Sequence, residues 1–298
     1  MKKMIIFGAS GLLGLNLLFF FRSNYKIFAI KNNKDIKISG INVIDSDFNN
    51  NLKNLNNVIN SIKPSVIINA IGLTNIDFCE KNHEASYFAH CEIPKKIAQI
   101  SKETGIKFVS ISTDHLSDGK KEYISESHAM LPLNIYGKSK LKGDKEILKC
   151  NKDALIIRTS FFGWGPSYRS SLSDYIISNV KKKSEVSLYE DIFFTPIFIN
   201  NLITLINKLV NKNCEGVYNI GSINKISKYE FGLLLVKRFN LDVNYIKKAK
   251  YPQNDLIVRK PLDMSLSVTK IQKDLDTKLS TIENEISDLY NSTNTISY

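Results

Sequence analysis

Tyr136 and Lys140 stand four residues apart in the segment YGKSK, a spacing that turns both side chains to one face of a helix. A phenol, with an ordinary pKa of about 10, exchanges protons well near neutrality only when neighbouring positive charge favours the phenolate. Lys140 supplies such a charge. Tyr and Lys are common on helices, so the pair gains weight only from its surroundings. Upstream, SISTDHL closes an apolar run with Ser112, Thr113 and Asp114. Near the start, Gly8-Ala9-Ser10-Gly11-Leu12-Leu13-Gly14 stands between a strand-like run and a helix-like one. In that setting Gly8 makes a tight turn, Gly11 lets backbone N–H groups approach a pyrophosphate, and Gly14 permits close packing of helix on strand. The helix N-terminus, with Ser10, Leu12 and Leu13 around it, adds partial positive charge. The chemistry implied is proton exchange beside a bound nicotinamide dinucleotide.

The elements that must carry these residues alternate. MIIFGA, YKIFAI, INVIDS, SVIINAIG, KFVSIST and ALIIRTS are short apolar runs of the kind buried on both faces of a parallel sheet. Helix-like segments fall between them, at 12–22, about 50–62, 83–104 and 136–150. The expected fold is α/β: a Rossmann-type doubly wound parallel sheet with a smaller C-terminal α/β substrate lobe. Residues 1–160 form the dinucleotide domain. Residues 161–298 form mainly the lobe, with some segments returning to the first domain. The lobe opens on the Gly/Pro/Ser loop FFGWGPSYRSS.

The formal charge of +12 spread over 298 residues includes no dense basic stripe with interleaved aromatics, so no nucleic-acid partner is expected. Cys79, Cys91, Cys150 and Cys214 show no CxxC spacing, and His83, His90, His115 and His128 form no HExxH pattern. No metal site is expected, and a reducing compartment fits. Lys2-Lys3 and the apolar run to Phe21 imitate a membrane anchor, but Gly8, Ser10, Gly11, Gly14 and Asn16 interrupt the run. A cytoplasmic protein without membrane attachment is expected.

Where the second strand ends, AIKNNK offers Lys31, Asn32 and Lys34 in place of a carboxylate that would bind the adenosine ribose. NADPH is therefore the expected cofactor, with NADH a weaker second. Asp47, followed by Phe48, stands where it can accept from an adenine amino group or simply cap a helix.

The order GxxGxxG, then NAIG at 69–72, then the strand-end Ser/Thr, then YxxxK resembles the extended short-chain dehydrogenase/reductases. STDHL, PLNIYGKSKLKGDKEIL, IIRTSFFGWG, FTPI, SKYEFG and RKPLDMSL narrow the likeness to the dTDP-4-dehydrorhamnose reductase group. This resemblance implies hydride delivery to the C4 ketone of a nucleotide-linked 4-keto-6-deoxy sugar, for surface polysaccharide synthesis. Tyr136 would donate the proton, Lys140 would hold the nicotinamide ribose, and Thr113 would bond the carbonyl oxygen. Ala70 and Gly72 would line the cofactor. Phe162, Trp164, Arg169 and Arg259 are the candidates for the substrate side, the two arginines for its diphosphate. Trp164 either stacks on the ligand or plugs the lobe. A homodimer is the assembly entertained. His90-Cys91 departs from the group, which often carries an Asn there, and so does Ser117, where many relatives have an aromatic. Two other readings stay open: epimerisation on the same fold, and a non-catalytic regulatory chain like that of methionine adenosyltransferase.

Overall fold

The strands form on apolar runs without polar alternation, covered on both faces except at the sheet edge, where the run INVIDS, against expectation, leaves Asn42, Val43 and Asp45 exposed. They are β1 (Lys3–Phe7), β2 (Lys26–Lys31), β3 (Asn42–Asp45), β4 (Val66–Asn69), β5 (Lys107–Ile111) and β6 (Leu155–Thr159). The computed structural model describes residues 1–31, 34–45, 52–166, 168–252, 254 and 258–294. The sheet runs β3-β2-β1-β4-β5-β6, with the strand Gly216–Ile220 beyond β6, and the pairings from β3 to β6 are all parallel. Its helices are α1 (Leu12–Phe21), α2 (Lys53–Ile62), α3 (Ile76–Lys81), α4 (His83–Tyr87), α5 (Ile93–Thr104) and α6 (Ile135–Cys150). This is the doubly wound arrangement expected from the sequence. Its strand order reverses between β1 and β4, which opens a crevice at their carboxyl ends. One core is built by Ile5, Phe7 and Ile67 of the sheet with Leu55, Ile59, Ile97 and Ile100 of α2 and α5.

One expected element differs. The segment 83–104 is not a single α-helix: a π turn, Phe88–Glu92, separates α4 from α5, and Ile93 N–H reaches back to the Phe88 carbonyl. Pro94 gives the reason. In an uninterrupted α-helix residue 94 donates to the carbonyl of residue 90, but proline has no N–H and its ring collides with that carbonyl. Widening the turn relieves the collision and turns His90's carbonyl elsewhere.

The chain divides into two compact units. The first comprises Met1–Thr113, Asn134–Arg158 and Ile206–Tyr218; the second comprises Asp114–Leu133, Thr159–Leu205 and Asn219–Tyr298. In the second, short strands pair two by two: Phe161–Phe162 with Ile197–Phe198, Phe193–Phe194 with Ile226–Ser227, and Val186–Tyr189 with Ile246–Ala249. Its helices Leu172–Lys181 and Lys228–Arg238 each begin with a Ser capping box, Ser171 with Asp174 and Ser227 with Glu230. Phe162, Phe194, Phe198 and Phe231 meet edge to face or tilted in its interior. The buried Glu285 of the helix Ile282–Asn291 accepts from Phe198 N–H and from the Asn201 amide, each at 2.9 Å.

Candidate active site

The crevice at the strand-order reversal is floored by backbone. Gly8 follows β1 with φ +72°, and a Cβ there would lie 2.7 Å from the carbonyl carbon and oxygen of Ala70. Only glycine fits this turn. Gly11 N–H closes it onto the Gly8 carbonyl at 3.0 Å. Helix α1 then starts with Gly11 as its N-cap, with no side-chain cap and no acidic residue in the first turn. Its first N–H groups and its dipole present positive charge unopposed by a local carboxylate. On the neighbouring strand, Ala70 N–H bonds the Phe7 carbonyl at 3.0 Å. Gly8, Ser10, Gly11, Leu12, Leu13, Gly14, Ala70 and Gly72 thus belong to one sheet edge of the first unit.

Helix α6 is set by its own start. The Asn134 side chain caps it by accepting from Gly137 N–H, and the Glu80 carboxylate accepts from Ile135 N–H, both at 3.0 Å. Tyr136 is buried against Cys79, with Leu73 and Tyr87 beside them. One turn on, the Lys140 ammonium donates to the carbonyls of Ile71 at 3.3 Å and Ile111 at 3.1 Å. The first lies just beyond β4 and the second ends β5, so a single cation joins two strand exits. Burial lowers the Lys140 pKa to about 8, against the opposing pull of Asp144. At Gly72 the nearest atom to a built Cβ is Lys140 Nζ, 3.6 Å away. A side chain at position 72 would therefore stand over the ammonium.

Beneath Lys140 lies a buried ion pair whose second member, Arg158, no local spacing announces. Asp144 accepts from Ser112 Oγ at 3.0 Å and from Arg158 Nε at 3.2 Å. Burial raises the Asp144 pKa, while Arg158 and Ser112 hold it down. Ser112, a strand-end hydroxyl in the sequence, thereby ties β5 to α6. Thr113, the next residue, is buried at the same strand exit. Asp144 follows Lys140 by one helical turn, and that i, i+4 spacing was the available signal.

Lys31 ends β2, where it bonds Asp35 at 2.8 Å and its register partner Asp45 at 3.1 Å. Both carboxylates are largely exposed and the lysine is not. Asp47 and Phe48 lie outside the described residues. The remaining candidates belong to the second unit. Phe162 sits in its aromatic interior, its ring 5.0 Å from that of Phe231. Trp164 donates its indole N–H to Ser292 Oγ at 3.1 Å and stands edge-on to Phe239. Arg169 and Arg259 are exposed. Among the described residues no group of His, Cys, Asp and Glu is placed to hold a metal ion, and no helix is long and apolar enough to cross a membrane.

A doubly wound parallel sheet with a glycine turn at its reversal and a Tyr–Lys helix beside it defines the extended short-chain dehydrogenase/reductase class. Within that class the chain belongs to the family described as RmlD substrate binding domain, which matches residues 1–295. Among curated proteins it is similar to a dTDP-4-dehydrorhamnose reductase of Aggregatibacter actinomycetemcomitans, 25% identical, with 92% of this chain and 93% of that one covered. It is similar as well to the probable low-salt glycan biosynthesis reductase Agl14 of Haloferax volcanii, 25% identical over 75% and 76% of the two chains. Methionine adenosyltransferase 2 subunit beta of Danio rerio is 27% identical over 82% of this chain and 76% of its own. Among solved structures, a hypothetical dTDP-4-dehydrorhamnose reductase from Sulfolobus tokodaii superposes with a TM-score of 0.83 at 28% identity, covering 94% and 97%. The Bacillus anthracis dTDP-4-dehydrorhamnose reductase, solved in complex with NADP, gives 0.86 at 24% identity, covering 98% and 99%, a likeness of fold.

Proposed function

We propose that the chain is an NAD(P)H-dependent oxidoreductase that reduces the C4 ketone of a nucleotide-linked 4-keto-6-deoxy sugar. The observation that carries this reading is the seat of Lys140: a buried ammonium held by the Ile71 and Ile111 carbonyls, one helical turn from Tyr136. The glycine turn and the uncapped start of α1, with no acidic residue in its first turn, suit a dinucleotide's pyrophosphate. NADPH, when bound, supplies the hydride. Tyr136 Oη gives its proton to the ketone oxygen as negative charge builds there. Lys140, mostly protonated at neutral pH, favours the phenolate left behind, and its hydrogen-bonded seat keeps it from swinging away. Thr113 Oγ1 donates to the same ketone oxygen and orients it. Asp144 and Arg158 hold β5, β6 and α6 together beneath these groups.

The nucleotide diphosphate is assigned to the second unit, with Arg169 and Arg259 as its candidate partners. The likeness to the methionine adenosyltransferase subunit supports a second, regulatory reading. The intact set of Thr113, Tyr136 and Lys140 favours catalysis. The test is NADPH consumption against dTDP-, UDP-, GDP- and CDP-linked 4-keto-6-deoxy sugars. Turnover on one of them supports the reductase; NADPH binding without turnover on any supports the regulatory chain.

A further inference from the structure

A buried histidine that the mechanism above does not use stands behind the Tyr–Lys helix. His90 lies in the π turn and is 3% exposed. Its Nε2 is 2.9 Å from the backbone nitrogen of Leu73, and its Nδ1 is 2.8 Å from Ser139 Oγ. A backbone N–H can only donate, so Nε2 accepts and a neutral ring must carry its proton on Nδ1. The Ser139 hydroxyl agrees with this assignment. It donates its own proton to the Tyr136 carbonyl at 2.9 Å, which leaves a lone pair to accept from Nδ1. Burial and the charge of Lys140 press the His90 pKa down to about 2, so the ring stays neutral at any working pH. The ring stands edge-on to Tyr136, centroids 5.5 Å apart. Below it, Gly143 of α6 meets the π turn directly: a Cβ there would stand 2.0 Å from the His90 carbonyl oxygen.

We propose that His90, fixed as the Nδ1–H tautomer, is a positioning residue that joins the exit of β4 to helix α6 and so sets Tyr136 and Lys140 against the Ile71–Leu73 segment. This inference rests on the reductase reading for its kinetic consequences, though its geometry does not. Leu73 lies two residues from Ile71, whose carbonyl holds Lys140, and Ser139 immediately precedes Lys140. One imidazole therefore spans both walls of the lysine's seat. It does not relay protons, because its Nε2 is closed by an amide that has none to exchange in catalysis. Its contribution is placement.

The first test needs no substrate. In full-length protein with 15N-labelled histidine, the His90 ring is expected to show a protonated Nδ1 and a bare Nε2, unchanged from pH 5 to pH 9. An Nε2–H ring, or one titrating near 6.5, overturns the proposal. The second test is kinetic, with NADPH deuterated at the transferred position and the nucleotide sugar that the panel identifies. His90→Leu should lower kcat by ~10²-fold with little change in sugar KM, and should raise the deuterium isotope effect as chemistry becomes limiting. His90→Gln, which keeps an acceptor for Leu73, should recover about tenfold of that loss. A variant that only lost folded protein would keep the wild-type isotope effect. If His90→Leu does not fold, Ser139→Ala takes its place, with a smaller fall in kcat and the same rise in isotope effect. Wild-type kcat and isotope effect in a folded variant, with Tyr136→Phe inactive, sink the positioning role and leave the reductase reading standing. Turnover by Tyr136→Phe sinks that reading instead, while the ring NMR still decides the tautomer.

Discussion

A Cβ placed on Gly14 would stand 2.2 Å from the carbonyl oxygen of Gly8, so the first turn of α1 and the dinucleotide turn are in backbone contact. No rotamer choice relieves such a clash, because the obstacle is main chain on both sides. Gly14→Ala should therefore displace the turn, cost about 1–3 kcal/mol of stability and weaken NADPH binding by at least ~10-fold. Thermal denaturation and a fluorescence titration with NADPH check both parts. Wild-type affinity in a folded variant would separate the turn from the cofactor.

Tyr136→Phe removes the proposed proton donor and keeps the ring, so turnover should fall ~10²-fold or more with NADPH affinity nearly unchanged.

Lys140→Met should behave differently. The folded pKa of about 8 lies below the ordinary 10.5, so the unfolded chain holds the proton more tightly and stability rises with pH across that window. Below it, the buried charge is a cost. Removing that cost should raise Tm at pH 7 by about 2 °C while NADPH affinity drops. A variant that loses Tm by several degrees would show that the bonds to Ile71 and Ile111 outweigh desolvation.

With Lys31 as the proposed seat of the 2′-phosphate, cofactor choice would turn on the two carboxylates that engage it. The phosphate would compete with Asp35 and Asp45 for one ammonium. NADPH preference should thus be modest and salt-sensitive. Asp35→Asn is expected to raise the ratio of kcat/KM for NADPH over NADH by about threefold, and Lys31→Asp to abolish the preference. If neither substitution moves the ratio, Lys31 does not face the phosphate.

Glu285 supplies a pH dependence of opposite sign. Burial raises its pKa to about 7 from the ordinary 4.5, so the folded state binds the extra proton. The stability it lends is complete below pH ~4.5 and is lost as pH rises through about 7. Glu285→Gln keeps an acceptor for Phe198 N–H and should flatten this part of the curve. At pH 8 it should be more stable than wild type by about 1–3 kcal/mol. Parallel pH–Tm curves for the two proteins would contradict the assignment.

The parts of the site legible in the sequence were those whose partners lie close along the chain. The glycine turn and the Tyr136–Lys140 pair depend on spacing within one turn or one helix, and the apolar runs fix the sheet. Bonds between distant segments leave no such trace. His90 meets Leu73 and Ser139 only because the π turn and α6 pack together, and Arg158 meets Asp144 across a strand and a helix. Lys31 and Asp45 become neighbours through β2–β3 register, which no local pattern states. The break in 83–104 did have a local signal in Pro94, since proline forbids the carbonyl of His90 its usual donor. Nothing in the composition of 114–133 marks its membership in the second unit.

The chain passes between its two units after Thr113, Leu133, Arg158, Leu205 and Tyr218, and the strand at Gly216–Ile220 borders β6. Gly216 N–H there bonds the Ala154 carbonyl at 2.8 Å. During synthesis the first unit therefore waits for residues made long after its glycine turn has left the ribosome. A chain cut after residue 160 would present β6 as a bare edge, ready to pair with a neighbour. Such a fragment should aggregate, whereas the whole chain, in which Gly216–Ile220 covers β6 and the second unit is complete, should not.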